Sequence, residues 1–356
     1  MLAVLILIGT GYGLAELIYS TLYASGLLAA TEPFWIYEDS GNTLYLDPGI
    51  GFGFGQAPAR MAKIGRGPVE YQGVLQGNEL GFLDRDPFLP CPSSAEKMRR
   101  FAVLGDSFTA AQYLSPDWTG AVEQRAARAG QSIELLNFAQ SGTGLGNWWR
   151  IITRILRDRD FCLDGIVFAV FEGNLHRSFA VARFGRDDRL HFGRSASWNP
   201  EDWPETTAQA IPLLQPMRGF LLPPDDFDRA LTGNWQPPDP PRPFRPYATL
   251  LLTGLMQDLI STPEAPTVPM LNPAQKQLIE RIRSVLHTLD LPVLVAAIPS
   301  RERLLAGMRA PEDVQEFARL LQARFIDGFD AFAGMTSEAI RAHWLPHDGH
   351  WAQAGS

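Results

Sequence analysis

A serine that follows an aspartate lies in the first third of the chain, after a short apolar run. Residues 101–109 read FAVLGDSFT, in which 101–104 has the character of a buried parallel strand and Gly105 allows a sharp turn. Ser107 is therefore expected at the carboxyl edge of a sheet, where open α/β folds bind ligands. A nucleophilic hydroxyl is one interpretation. A turn with a helix cap is the other, because Asp and Ser favour both positions.

A second group of reactive side chains lies close to the carboxyl terminus, in the stretch RAHWLPHDGHWAQAG. It holds His343, His347, His350 and Asp348. A metal cluster is one interpretation, although Pro346 disfavours the regular helix on which histidines four apart would share a face. Acid/base chemistry is the other, because a carboxylate near an imidazole orients the ring and stabilises its charged form. For His343 an ordinary surface position is preferred.

Two further loops follow predicted strands. The stretch SGTGLGN contains Gly142, but its GxGxG spacing lacks the acidic residue that a dinucleotide fingerprint places after the following strand, so no cofactor is expected. The backbone N–H of such a glycine can instead donate to an oxyanion. The stretch FEGN ends another apolar run at Asn174.

The elements that must position these loops alternate between short apolar runs and amphipathic stretches. This alternation predicts an α/β fold with a doubly wound parallel sheet. The predicted strands are 101–104, 134–138, 165–171 and 292–298, with a weak final one in 325–332, and the predicted helices are 116–129, 148–157, 273–289 and 311–325.

Three segments stand apart from this alternation. Residues 1–28 contain no Lys or Arg and are apolar apart from Glu16 and scattered small polar residues, which predicts a membrane anchor over 1–30. A cleaved signal peptide is the second interpretation and a helix of the soluble core the third. Residues 31–98 are rich in Gly and aromatic residues and predict an irregular, β-rich extension. Residues 175–269, rich in Pro and Trp, interrupt the main domain (99–356) as a lid-like insertion or an exposed spacer.

The charge of the chain and its cysteine content further limit the classes of protein to which it can belong. The 356 residues carry a formal charge of −8, and acidic chains of this kind are poor partners for nucleic acid. Cys91 and Cys162 precede two of the predicted strands and should lie at the edge of the sheet opposite Ser107. The sequence is consistent both with a disulfide between them and with two free buried thiols.

Taken in order, the four loops resemble the sequence blocks of the SGNH/GDSL hydrolases. GDSFT, SGTG, FEGN and HDGHW correspond to the nucleophile, glycine, asparagine and terminal blocks of that family. The resemblance implies a flavodoxin-like sheet, a Ser107–His350–Asp348 catalytic group, and an oxyanion hole formed by Ser107, Gly142 and Asn174. No metal or cofactor is implied.

The chain also departs from the family's usual pattern. Glu172 and Leu175 replace a glycine and an aspartate of the third block, and Asp348 lies two rather than three residues before His350. The shorter spacing resembles the Asp-x-His-Trp ending of membrane-anchored relatives that act on exported polysaccharides.

The resemblance implies an esterase, or an acyltransferase, for a short O-acyl group. O-acetyl is the expected group, carried on a cell-envelope or exopolysaccharide substrate, with the catalytic domain periplasmic or extracellular and attached to the membrane through the N-terminal helix. A lipid or lysophospholipid esterase is the second expectation. The third is a catalytically silent, glycan-binding member of an assembly complex.

Overall fold

The structure of the chain is a computed structural model. It describes residues 11–18, 33–41, 43–65, 69–84, 87–88, 91, 98–111, 113–115, 117–235, 237–238, 269–345 and 349–352. The strands are β1 (Phe34–Glu38), β2 (Leu44–Asp47), β3 (Gly51–Phe54), β4 (Ala59–Ile64), β5 (Val69–Leu75), β6 (Arg99–Leu104), β7 (Ile133–Asn137), β8 (Gly165–Phe171), β9 (Ala180–Phe184), β10 (Arg189–Arg194), β11 (Gln215–Leu222), β12 (Val293–Ile298) and β13 (Arg324–Asp327).

The helices are α1 (11–18), α2 (Ser107–Ala110), α3 (Trp118–Arg128), α4 (Leu145–Ile151), α5 (Thr207–Ala210), α6 (Pro224–Leu231), α7 (Pro273–Thr288), α8 (Arg301–Leu305), α9 (Glu312–Leu321) and α10 (Ser337–Ala342). All the helices except α1 lie among the strands from β6 onward or after the last strand. A π-helical turn, Ile152–Leu156, continues α4, and short 3₁₀ turns cover Asn174–His176, Pro200–Asp202, Ile211–Leu213 and Gly328–Phe332.

The central sheet has five parallel strands in the order β13-β12-β8-β6-β7. Counted along the chain this is 2-1-3-4-5, the flavodoxin-like doubly wound order, so the predicted α/β fold is confirmed. Its strands read as apolar runs because helices cover both faces, as GIVFAVF in β8 illustrates. The carboxyl ends of β6, β7 and β8 open onto the loops that carry Ser107, Gly142 and Asn174.

The main core lies between this sheet and its helices. Trp148 of α4 contacts Phe168 of β8, and both rings contact Phe317 of α9. All three side chains are fully buried. Burial of large aromatic rings contributes a major share of folding free energy, so this cluster fixes the helices on one face of the sheet.

A second, six-stranded sheet was not predicted. Its order is β5-β4-β1-β11-β10-β9. The pairing of β1 with β11 is parallel, and the other four pairings in the sheet are antiparallel. Strands β1, β4 and β5 come from the 31–98 extension and β9–β11 from the 175–269 segment. The two segments that the sequence predicts as a separate extension and a lid-like insertion therefore build one accessory sheet in their described parts.

The glycine-rich stretch 49–55 belongs to an antiparallel hairpin formed by β2 and β3. Asn147 of α4 anchors it, because its amide donates to the carbonyl oxygens of Ile50 and Ala180, each at 2.9 Å. A Cβ at Gly51, where φ is +108°, would lie 2.3 Å from the Ala180 oxygen. Glycine is thus required for the close approach of the hairpin to β9.

The two cysteines form a disulfide, with their Cα atoms 5.3 Å apart. The bond joins the segments that lead into β6 and β8, at the amino ends of the strands and away from Ser107. Of the two alternatives open from the sequence, the structure has the paired one. Among the described residues no helix has the length and apolarity needed to cross a membrane. Most of the predicted anchor, 1–10 and 19–30, lies outside the described residues.

Candidate active site

The nucleophile turn follows β6 directly. Asp106 caps α2, its carboxylate accepting a hydrogen bond from the N–H of Phe108 at 3.1 Å, and Ser107 is the first residue of the helix. The backbone N–H groups of a first helical turn have no partner within the helix, and that of Ser107 donates to no described residue. A Cβ at Gly105 would lie 2.3 Å from the hydroxyl of Thr109, so the turn needs glycine here. The helix-cap interpretation of the motif is confirmed for Asp106, and the nucleophile role of Ser107 stays a prediction.

His350 lies beside this turn. Its Nε2 is 2.7 Å from the Oγ of Ser107, although the two residues are 243 positions apart in the chain. The imidazole stacks on the ring of Phe108 at a centroid distance of 4.8 Å, and the ring of Tyr113 meets it edge-on at 6.0 Å. These contacts hold the ring plane so that the nitrogen faces the hydroxyl.

A short turn closed by two tryptophans brings His350 to this position. Trp344 and Trp351 form an antiparallel bridge, and Leu345 donates its N–H to the carbonyl oxygen of His350 at 3.0 Å. Both indole rings are buried, and that of Trp351 meets Phe108 edge-on at 5.5 Å. The predicted interruption of helical structure before His350 is confirmed, since α10 ends at Ala342.

The glycine loop is tied to the nucleophile turn by hydrogen bonds to Gly105. The indole N–H of Trp148 and the hydroxyl of Thr143 both reach its carbonyl oxygen, at 3.2 and 3.4 Å. Gly142 has φ of +75°, a left-handed conformation that favours glycine, and its N–H donates to no described residue. Its carbonyl oxygen instead accepts from the guanidinium of Arg194 at 2.8 Å.

Asn174 is completely buried and holds Asp106. Its side-chain nitrogen donates to the Asp106 carboxylate at 2.7 Å, and its side-chain oxygen accepts from the N–H of Phe171 at 2.8 Å. One of its two amide hydrogens is therefore committed to Asp106. The expected oxyanion role of Asn174 stays a prediction and would use the other hydrogen.

Two arginines that the sequence reasoning did not single out complete this region. Arg177 donates through one nitrogen both to Asp106, at 2.8 Å, and to the carbonyl oxygen of Thr143, at 3.1 Å. Arg194 lies over the ring of Phe192, and desolvation followed by the nearby charge of Arg177 lowers its pKa. Arg177 lies three residues after Asn174, and no spacing rule in the sequence indicated its contacts.

Glu172, the departure in the third block, lies at the end of β8. Burial raises the pKa of its carboxyl group, against the opposing effects of Ser300 and of Arg303, whose guanidinium is 3.9 Å away. One carboxylate oxygen is buried without a hydrogen-bond partner among the described residues. The adjoining residue Phe171 stacks on Phe108 at 4.2 Å, so Glu172 is close to the site without forming part of the Ser–His pair.

Asp348 and His347 lie outside the described residues, so the predicted acid of the catalytic group stays a prediction. Of the other predicted metal ligands, His343 hydrogen bonds through Nδ1 to the Ala339 carbonyl oxygen at 2.7 Å. Among the described residues one group has the side-chain types and proximity of a metal site: Cys91, Asp160 and Cys162. Its sulfur atoms are joined in the disulfide and cannot act as thiolate ligands.

A serine hydroxyl thus lies within hydrogen-bonding distance of a histidine at the carboxyl edge of a flavodoxin-like sheet. The two residues come from the turn after β6 and from the segment near the carboxyl terminus, and the loop after β7 places Gly142 at the same edge of the sheet.

Comparison with known proteins finds similarity only among solved structures. No protein-family model and no curated protein matches the chain. Among solved structures it is similar to AlinE4, an SGNH-hydrolase family esterase, with 14% identity over 68% of this chain and 83% of that one and a TM-score of 0.31. It is also similar to TesA (12% identity, 72% and 91% covered, TM-score 0.33) and to the lipase Lip_vut3 from a goat rumen metagenome (12%, 72% and 92%, TM-score 0.30).

Proposed function

We propose that the chain is a serine ester hydrolase, or an acyltransferase of the same chemistry, acting on a short O-acyl group of a saccharide. The observation that carries the proposal is the 2.7 Å contact between the Ser107 hydroxyl and the His350 imidazole. This is the geometry in which a histidine removes the proton of a serine as it attacks a carbonyl carbon.

In the first half of the proposed reaction, Ser107 Oγ attacks the ester carbonyl carbon and His350 Nε2 takes the hydroxyl proton. The tetrahedral oxyanion is met by the N–H groups of Ser107 and Gly142, neither of which donates to a described residue, with Asn174 as the third predicted donor. Collapse of the intermediate releases the alcohol, which receives the proton from His350, and leaves the acyl group on Ser107.

In the second half, water or a sugar hydroxyl attacks the acyl-serine, and His350 again removes and returns the proton. Water gives an esterase and a sugar hydroxyl gives an acyltransferase. Asp348 is proposed to hold the imidazole with its proton on Nδ1, so that Nε2 is free to accept. Each free N–H group that donates to the oxyanion, such as those of Ser107 and Gly142, contributes on the order of 3 kcal/mol to transition-state stabilisation.

An oxidising compartment is proposed for the domain, supported by the Cys91–Cys162 disulfide, because such bonds persist outside the cytosol. A periplasmic or extracellular location agrees with the expected cell-envelope substrate. The membrane anchor remains a prediction from residues 1–28.

The test is hydrolysis of p-nitrophenyl esters of increasing acyl length by the wild-type protein and Ser107→Ala. We expect Ser107-dependent turnover that is fastest for acetate and falls with chain length. A maximum at octanoate or longer would favour the lipid esterase, and no Ser107-dependent turnover of any ester would favour the silent glycan-binding alternative.

A further inference from the structure

A cleft of about 680 Å³ lies between the accessory sheet and the segment that follows the nucleophile helix. We call it the amide cleft, because its wall carries the amide side chains Gln56, Gln72, Gln76 and Asn78 together with Glu79 and Tyr113. Strand β5 supplies one side and residues 110–111, 113–115 and 117 the other. The accessory sheet, which the five-stranded fold does not require, thus shapes a space beside the site.

The amide cleft adjoins the Ser–His pair through Tyr113 and the end of α2. The ring of Tyr113 meets the imidazole of His350 edge-on at 6.0 Å and contacts the ring of Tyr71 from β5 at 4.5 Å. Ala110 and Ala111, the last residues of the nucleophile turn, also line it. A molecule that fills the cleft would therefore extend directly away from the reacting ester.

Asn78 marks a donor at the wall of the amide cleft. Its side-chain oxygen accepts the N–H groups of Leu80 and Phe82, at 3.0 and 3.1 Å, which fixes the orientation of the amide. Its side-chain nitrogen is buried and has no hydrogen-bond partner among the described residues, and the residue is 9% exposed. An unsatisfied buried donor is costly, so the wall of the cleft holds one polar group whose hydrogen-bonding capacity the described residues leave unused.

The lining discriminates between ligand classes. Its described lining residues supply amides, the carboxylates of Glu79, Asp84 and Asp117, an aromatic ring and apolar side chains such as Val74 and Leu83, but neither Lys nor Arg. A polyanion would meet like charge there, and an acyl chain would strip water from amides and carboxylates without replacing their hydrogen bonds. The hydroxyl groups and apolar faces of a neutral sugar suit both the amides and the ring.

We propose that the amide cleft binds a neutral sugar unit of the substrate's saccharide chain and holds the acylated unit at Ser107. This inference rests on the proposed function and deepens it, because it names the non-acyl side of the substrate. Gln72 and Gln76 are the residues to test, since both are exposed at the cleft and their substitution leaves the core untouched.

The experiment measures binding independently of turnover. In the Ser107→Ala protein, titration calorimetry with xylohexaose, cellohexaose and chitohexaose is expected to detect at least one complex. Adding Gln72→Ala and Gln76→Ala should weaken it about tenfold, the loss expected for hydrogen bonds worth roughly 1.4 kcal/mol. Adding Gln124→Ala, an exposed glutamine on α3, is the matched control and should change nothing.

Absence of binding to all three oligosaccharides by a protein that melts cooperatively would overturn the inference, as would equal weakening by the control. Ser107-dependent ester hydrolysis is scored separately. Absence of that activity from the wild-type protein would count against the proposed function. Sugar binding that does not change on substitution of Gln72 and Gln76 would count against the amide cleft alone. Stronger binding of an oligouronate than of any neutral hexamer would also contradict it.

Discussion

The amide nitrogen of Asn174 donates to the carboxylate of Asp106 across 2.7 Å, and both side chains are almost completely buried. This bond links the end of β8 to the residue that precedes the nucleophile. Asn174 can therefore act in two ways, by fixing the nucleophile turn and by donating its second amide hydrogen to the oxyanion.

Replacing Asn174 separates these roles. We expect Asn174→Ala to lower kcat for p-nitrophenyl acetate by roughly 100- to 1,000-fold with little change in KM, the loss typical of an oxyanion donor. The measurement is steady-state kinetics on protein whose melting temperature has been checked. A loss no larger than that of Arg177→Ala, with no further loss in the double variant, would show that Asn174 acts only through Asp106.

Arg177 is expected to be a positioning residue, because it bridges Asp106 and the Thr143 carbonyl oxygen and so holds the glycine loop against the nucleophile turn. Arg177→Ala should reduce kcat about 10- to 100-fold, as expected for hydrogen bonds to a charged group. Arg177→Lys, which keeps one charged donor, should recover part of it. Arg186→Ala, in the turn between β9 and β10, is the control. Equal kcat in wild type and Arg177→Ala would refute this role.

The sequence predicted β6, β8 and β12 of the central sheet well because each contains a continuous apolar run bounded by turn residues. The nucleophile turn and His350 followed from motif and resemblance. The accessory sheet could not be predicted, because β1 and β11 are paired over a separation of 184 residues (Trp35 with Gly219) and neither sequence gives a local sign of its partner. The role of Arg177 could not be predicted for a similar reason. Its contacts to Asp106 and Thr143 arise from the tertiary packing of three loops, which no local sequence pattern encodes.

The Cys91–Cys162 disulfide should contribute to stability without affecting the chemistry. It closes a segment with a sequence separation of 71, for which the chain-entropy model gives about 4 kcal/mol of stabilisation. Cys91→Ser with Cys162→Ser is expected to lower the free energy of unfolding by a comparable amount, measured by urea denaturation. The wild type in reductant should match the double variant, and the double variant should be insensitive to reductant. A wild-type stability unchanged by reductant would contradict this account.

Glu172 provides a prediction on pH. Burial raises the pKa of its carboxyl group above the ordinary value of 4.5, so the folded state favours the protonated form. Stability from this group is fully present below pH 4.5 and is lost as the pH rises through the raised value.

The matched variant for this prediction is Glu172→Gln, which keeps the shape and removes the charge. It should melt above the wild type at pH 7, and the difference should shrink as the pH is lowered toward 4.5. The measurement is a series of thermal melts at pH values from 4.5 to 7. A variant that is less stable than the wild type at pH 7 would show that the ion pair with Arg303 outweighs the cost of burial.

The pairing of Ser107 with His350 is tested most directly by the rate at which a fluorophosphonate probe modifies the protein, with the adduct located by mass spectrometry. We predict a single adduct on Ser107 in the wild type, none in Ser107→Ala, and labelling slowed about 1,000-fold or more in His350→Ala, because the hydroxyl is a weak nucleophile without its base. An adduct on another residue, or an equal labelling rate in the wild type and His350→Ala, would contradict the proposed role of this pair.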